Sequence, residues 1–226
     1  MSFLYEEKAS RSALVDVVWR TVDTSDGTYL AAADACWDMI FSDLAAGGRR
    51  VLLSGPSSQP TPVPYTAGNR NIGVRFVQGC YFTHCAAADM CDRTIALRMP
   101  QATAFDLADV RWPFPDYETV DDLVEAFAAH GLLAHDQIVE SILVGRPPGV
   151  SVRSVQRHFA KVTGLSPHHV RQISRARAAV NRLQTGEAIA DVAYDLGYAD
   201  QSHLTREVKR LTGCTPGQSQ HRGEPV

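Results

Sequence analysis

The 226-residue sequence is poor in the features that mark membrane, secreted and catalytic proteins. No apolar run approaches the ~20 residues that a spanning helix needs, so a membrane is not an expected partner. The opening segment, Met1 to Lys8, lacks the basic-then-apolar order of a signal peptide, which sets the expected location as cytoplasmic. Five cysteines (Cys36, Cys80, Cys85, Cys91 and Cys214) form an odd set without regular pairing, better suited to a reducing compartment than to a disulfide framework. His84 is the only histidine before His130, too few for a metal-dependent enzyme built inside a β-domain. The Gly-x-Ser-x-Gly, Walker-type and Gly-x-Gly-x-x-Gly patterns are all missing, so nucleophilic, phosphoryl and dinucleotide chemistries have no foothold. Neither an enzyme nor a cofactor is expected.

The sequence does have an ordinary globular composition, 45% hydrophobic and 21% charged, with length for one large or two modest domains. The net charge of −3 hides a division. Residues 1–145 carry 10 Lys+Arg against 19 Asp+Glu, whereas residues 146–226 carry 12 against 6. An acidic half is followed by a basic one, and a basic segment points to a polyanionic partner.

From Leu14 to about Phe105 the chain reads as short β-prone runs: Leu14–Trp19, Trp37–Phe41, Val51–Leu53 and Ile72–Val77. Gly47-Gly48, Gly55-Pro56 and the proline-rich run Gln59–Pro64 separate them, which suggests a mainly antiparallel barrel or sandwich. Trp112-Pro113-Phe114-Pro115 marks a boundary, and the chain beyond it reads as helix, beginning with a cap at Thr119. The expected fold class is α+β: a β-rich barrel- or sandwich-like domain over 1–112, a linker and connecting helix over 113–134, and an all-α domain over 135–222.

The basic half contains a repeat with a 49-residue period. Ser151–Phe159 aligns with Asp200–Val208, and Thr163-Gly164-Leu165-Ser166-Pro167 aligns with Thr212-Gly213-Cys214-Thr215-Pro216. Ser151 and Asp200 are good N-caps. Val155, Phe159 and Val162, like Leu204, Val208 and Leu211, fall at i, i+4 and i+7 and make one apolar stripe per copy. At ~100° per residue, Arg157 and Arg206 lie on the far side, flanked by Arg153, Gln156, Ser202 and Thr205. Arginine bonds guanine O6/N7 and glutamine bonds adenine N6/N7 in the major groove, so these faces suit double-stranded DNA. Lys161, Arg171, Lys209 and Arg210 are placed to neutralise phosphates. Before the second copy, Ile189, Val192, Ala193 and Leu196 make a short amphipathic helix, and Gly197-Tyr198-Ala199 makes a turn: helix-turn-helix order.

Asp191–Glu207 followed by Leu211–Pro216 resembles the AraC/XylS family of transcription activators, and the resemblance covers about residues 135–217. It implies two helix-turn-helix units joined by a long helix, here Arg175–Leu183, with both recognition helices in successive major-groove segments ~34 Å apart. Carried over by position, the base-facing residues are Arg153, Gln156 and Arg157, then Ser202, His203 and Arg206. The first unit departs from the family pattern: Gly145-Arg146-Pro147-Pro148-Gly149-Val150 comes after Val144, so either the turn is lengthened or the leading helix is shortened. Asp34–Phe41 resembles a segment of β-rich domains attached to some members, which implies sensing or dimerisation. RNA polymerase, a small-molecule effector and a second copy of the chain are the partners that this analogy implies.

Other readings rest on particular residues. Cys80, Cys85, Cys91 and His84 could form a metal or thiol sensor, although their spacing matches no standard finger. Trp19, Trp37 and Trp112 line a ligand pocket or fill the core. The altered turn leaves open an adaptor that has lost DNA binding. Residues 1–112 could alternatively hold a ligand-binding or metal-dependent function with the helices as accessory.

Overall fold

The computed structural model describes residues 3–146 and 149–219; Pro147 and Pro148 of the first turn, and His221, lie outside them. The amino-terminal part runs β1 (Phe3–Lys8), β2 (Val15–Asp23), β3 (Gly27–Ala31), β4 (Asp38–Asp43), β5 (Arg49–Ser54) and β6 (Thr61–Tyr65). It continues through β7 (Arg70–Phe76), β8 (Cys80–Phe82), α1 (Ala87–Met90), β9 (Thr94–Ala96), β10 (Ala104–Leu107) and β11 (Val110–Pro113). It ends with α2 (Val120–Ala129) and β12 (Leu133–His135).

Six strands form one antiparallel sheet in the order β1-β2-β7-β4-β5-β9, while β3 with β6, β8 with β12 and β10 with β11 form separate ribbons. Val18, Met39, Phe41, Val51, Leu53, Val74 and Phe76 turn to one face of the sheet and are buried. The alternation explains why these runs read as strands: each places β-branched or aromatic residues at every second position. On the other face, Gly73 of β7 lies beneath the Trp19 indole, where a Cβ would overlap the ring.

Several elements differ from expectation. The proline-rich run is not only a separator, because Thr61–Tyr65 is strand β6. Pro62 and Pro64 stand opposite Leu30 and Thr28, alternating with Val63 opposite Tyr29. Residues two apart direct their amides to the same side of a strand, so both prolines fall where no donor to β3 is needed. Thr119 does not cap α2 through its side chain; its hydroxyl donates to Asp116 Oδ1, which also accepts from the amides of Glu118 and Thr119. Within 113–134, α2 packs Val120, Leu123, Val124 and Phe127 into the sheet core, with Phe127 edge-on to Trp112 at 4.8 Å. Helix is also not continuous beyond Pro115, since β12 pairs with β8.

The carboxyl-terminal part is all helix: α3 (Gln137–Leu143), α4 (Val152–Thr163), α5 (Pro167–Gln184), α6 (Ile189–Asp195), α7 (Gln201–Thr212) and α8 (Pro216–Ser219). Its core is separate from that of the sheet and contains Phe159, Val162, Ile173, Val180, Leu183, Leu204, Val208 and Leu211. The α+β arrangement read from the sequence is the one the chain adopts. No helix among the described residues is long and apolar enough to cross a membrane.

Candidate nucleic-acid interface

The two repeat copies become α4 and α7, each 12 residues long. Ser151 Oγ accepts from Ser154 N at 3.2 Å, and Asp200 Oδ1 accepts from His203 N at 2.6 Å, so both helices start where the caps predict. Both stop at a left-handed glycine, Gly164 (φ 70°) and Gly213 (φ 77°), a conformation that costs a side chain strain. Phe159, Val162, Leu204 and Val208 are wholly buried, Leu211 is 1% exposed, and Val155 is half-buried.

The opposite faces are open. Arg153, Gln156 and Arg157 are exposed on α4, as are Ser202, Arg206, Lys209 and Arg210 on α7, with Thr205 half-buried beside them. Among the described residues, Arg153, Arg157 and Arg206 have no carboxylate partner, whereas Arg175, Arg177 and Arg182 of α5 do. Arg175 of α5 donates to Glu207 Oε1 through Nη2 at 2.7 Å and Nε at 3.1 Å. Arg182 bridges Glu187 and Asp195, tying α5 to the end of α6. Arg177 faces Asp16 of the sheet at 3.5 Å. Exposed Arg146, Arg171 and Arg210 likewise have no carboxylate among the described residues, so the repeat-related arginines of α4 and α7 belong to a wider set of cations left to solvent on the helical unit.

Two cations and one histidine are placed differently from a plain outward reading. His203 lies on the flank of α7, half-buried, with its ring edge-on to Tyr198 at 5.3 Å. Its Nδ1 accepts from Ala199 N at 3.3 Å and its Nε2 lies 3.7 Å from Glu207. Lys161 Nζ sits 4.4 Å from the Tyr81 ring centroid, directed to the sheet domain. Arg210 Nη2 reaches back to Gln172 Oε1 at 3.4 Å.

The leading helices α3 and α6 are both seven residues long, but eight residues (144–151) separate α3 from α4, against five (196–200) between α6 and α7. The departure in the first unit is thus a longer turn, not a shorter helix. A second link compensates. Asp136 caps α3 by accepting from Ile138 N and Val139 N, and its other oxygen meets His158 Nδ1 of α4 at 2.6 Å. Burial alone would raise this carboxyl; the His158 ring and the two amides outweigh it and hold the pKa below the usual value.

Glu207 was not legible as a functional residue, yet it is the only carboxylate on α7 and is 6% exposed. It receives Arg175 and Gln172, so it fixes α7 on α5. The available signal was its position: three residues after Leu204 and four before Leu211, Glu207 falls on the core side of a basic helix.

The cysteines do not converge. Among the described residues no group of three metal-ligating side chains is close enough to hold an ion. Burial pushes the Cys80 thiol up to about 12 and, with Asp92 beside it, Cys91 to about 11, so neither is poised as a thiolate. Trp37 and Trp112 are core residues, while Trp19 lines a cavity of about 670 Å³ between the sheet, the β3–β6 ribbon and α5. Its walls include Tyr5, Tyr29 and Tyr65, and α5 contributes Arg177 and Asn181.

Two capped helix-turn-helix units, packed on one long helix with basic faces open, define a double helix-turn-helix DNA-binding protein. Comparison of the sequence with known proteins gives the same result for the helical part. A family model described as "Helix-turn-helix domain" matches residues 148–222. The transcriptional regulator RipA of Corynebacterium glutamicum is 43% identical over 68 residues, 30% of this chain and only 20% of RipA. The regulatory protein SoxS of Escherichia coli K12 is 34% identical over 88 residues, 38% of this chain and 82% of SoxS. The structure of ToxT from Vibrio cholerae O395 aligns over 98% of this chain and 99% of its own, with 12% identity and a TM-score of 0.49. The chain belongs to the AraC/XylS family of transcription regulators.

Proposed function

We propose that the protein reads a bipartite duplex site, with α4 and α7 entering successive major-groove segments. Arg153, Gln156 and Arg157 contact bases in one half-site, and Ser202, Thr205 and Arg206 in the other. Arg171, Lys209 and Arg210 neutralise phosphates, while His203 supports the turn that aims α7. The observation that carries this reading is the pair of exposed, carboxylate-free arginine faces at repeat-equivalent positions. The division of labour we propose is a sensing domain over 1–112, completed by the α2 and β12 segment of 113–134 that packs and pairs with it, and the reader over 135–222. The cavity supports the sensing role, because a small effector in it would touch both the aromatic wall of the sheet domain and the helix that joins the two readers. A cytoplasmic location, activation through RNA polymerase and pairing with a second copy accompany this reading by family resemblance.

The test is selection of bound fragments from a random duplex pool, followed by affinities at two salt concentrations. Wild type should enrich two half-sites and lose affinity steeply with salt. Arg206→Ala should cost about 1–3 kcal/mol and relax preference in one half-site only. Lys209→Ala should weaken all sequences alike and shallow the salt slope by about one. A chain that enriches nothing is an adaptor, not a reader.

A further inference from the structure

The two recognition helices are hooked at equivalent positions by one short segment of the sheet domain. Trp37 Nε1 donates to Val162 O of α4 at 3.0 Å, and Ala33 N donates to Leu211 O of α7 at 2.8 Å. Val162 and Leu211 are the same position in the 49-residue repeat. Both carbonyls belong to the last helical turn, whose acceptors have no partner within the helix. The next structural landmark is shared too: Gly164 of α4 packs on Ala87 and Ala88, and Gly213 of α7 packs on Leu30 and Pro60, so the sheet domain seats both helix ends.

The segment is itself held rigid. Ala35 adopts a left-handed φ of 55°, and its amide donates to Ser57 O at 3.1 Å. Asp34 Oδ1 accepts from Cys36 N and Ser57 Oγ, and its Oδ2 faces Arg75 at 3.3 Å. Asp34 O accepts from Gln78 Nε2, and Gln78 Oε1 accepts from Ser174 of α5. Ala33 and Ala35 are buried in the core of the helical unit, not in that of the sheet. The four peptide steps from Ala33 to Trp37 span at most about 14 Å, and the buried Trp37 indole adds its own fixed reach to Val162, so the ends of α4 and α7 are gauged by a strut of fixed length.

We propose that the segment from Leu30, which seats Gly213, to Trp37, which hooks Val162, sets the separation of the two recognition helices, and through it the number of base pairs allowed between the two half-sites. Trp37 and Leu30 are positioning residues for this selectivity and touch no DNA. The proposal rests on the bipartite reading above. Adding one base pair moves a half-site by about 3.4 Å and turns it by about 35° around the duplex. A pair of helices held by a rigid strut cannot follow that change, whereas a loosened pair can.

The experiment uses the full chain and duplexes carrying the selected half-sites at the selected spacing, one base pair shorter and one longer. Two variants are compared with wild type: Trp37→Phe, which keeps a ring and deletes the indole donor, and Leu30→Ala, which removes the seat of Gly213. Wild type should bind the altered spacings about tenfold or more weakly than the selected one. In the variants this penalty should shrink to about threefold or less, with single half-site affinity and salt slope unchanged. A merely destabilising substitution would lower affinity for every spacing in proportion. If Trp37→Phe does not fold, Leu30→Ala decides alone, because its side chain is only half-buried. Variants with the wild-type spacing profile overturn the strut while leaving the double reader intact; a wild type indifferent to the second half-site overturns both.

Discussion

Replacing Glu207 with alanine tests whether the buried ion pair is the joint between α5 and α7. Glu207 is 6% exposed and takes two hydrogen bonds from Arg175 at 2.7 and 3.1 Å and one from Gln172 at 3.3 Å. Removing one partner of a fully buried pair costs about 3–5 kcal/mol, because the remaining charge is left in the interior. Arg175 retains 30% side-chain exposure and lies 4.2 Å from the Tyr198 ring centroid, so water and the ring recover part of that loss. The expected cost is therefore about 2–3 kcal/mol. For a chain of this size that lowers Tm by roughly 5–10 °C. Glu207→Gln keeps an acceptor without the charge and should cost about 1 kcal/mol. Urea unfolding followed by far-UV circular dichroism measures both. An alanine variant within about 0.5 kcal/mol of wild type, the range of ordinary surface changes, would refute the joint.

Two further predictions concern carboxyl groups with displaced pKa values. Burial, opposed by Arg75 and reinforced by Asp34, raises the Asp38 carboxyl to about 7. The native state thus holds this proton more tightly than the unfolded chain, so the contribution is complete below about pH 4 and is lost as pH rises past about 7. Asp38→Asn should flatten the fall in urea midpoint between pH 5 and pH 8. Asp136 behaves in the opposite sense: its folded pKa is depressed, so its stabilisation is present at neutral pH and lost in acid. Asp136→Ala removes a helix cap and the His158 bond and should cost about 2–3 kcal/mol at pH 7. The gap from wild type should narrow as the pH falls below about 4.

The helical half was largely legible in the residues because its signals are local. Caps at Ser151 and Asp200, stops at Gly164 and Gly213, and apolar spacing within one helix each depend on neighbours a few residues away. The β half was legible only where strands alternate strongly, as in β2, β4, β5 and β7. β1 and β6 were missed because one is an amphipathic edge and the other carries prolines that only pairing geometry makes acceptable. The outward faces of α4 and α7 followed from angular arithmetic, but the inward turn of His203 depends on Tyr198 and Glu207 reaching the same point in space. The hooks on Val162 and Leu211 join residues more than a hundred positions apart, a relation that no periodicity carries.

The prolines of β6 also bear on self-association. An uncovered strand edge normally offers alternating amide donors to any other chain that passes, which makes it a route to stacking and fibre growth. Pro62 and Pro64 occupy the positions on β6 that would point away from β3, so this border of the ribbon is stripped of donors where a newcomer would need them. A second copy cannot extend the ribbon there. Sheet-to-sheet pairing of two copies is left to the other borders.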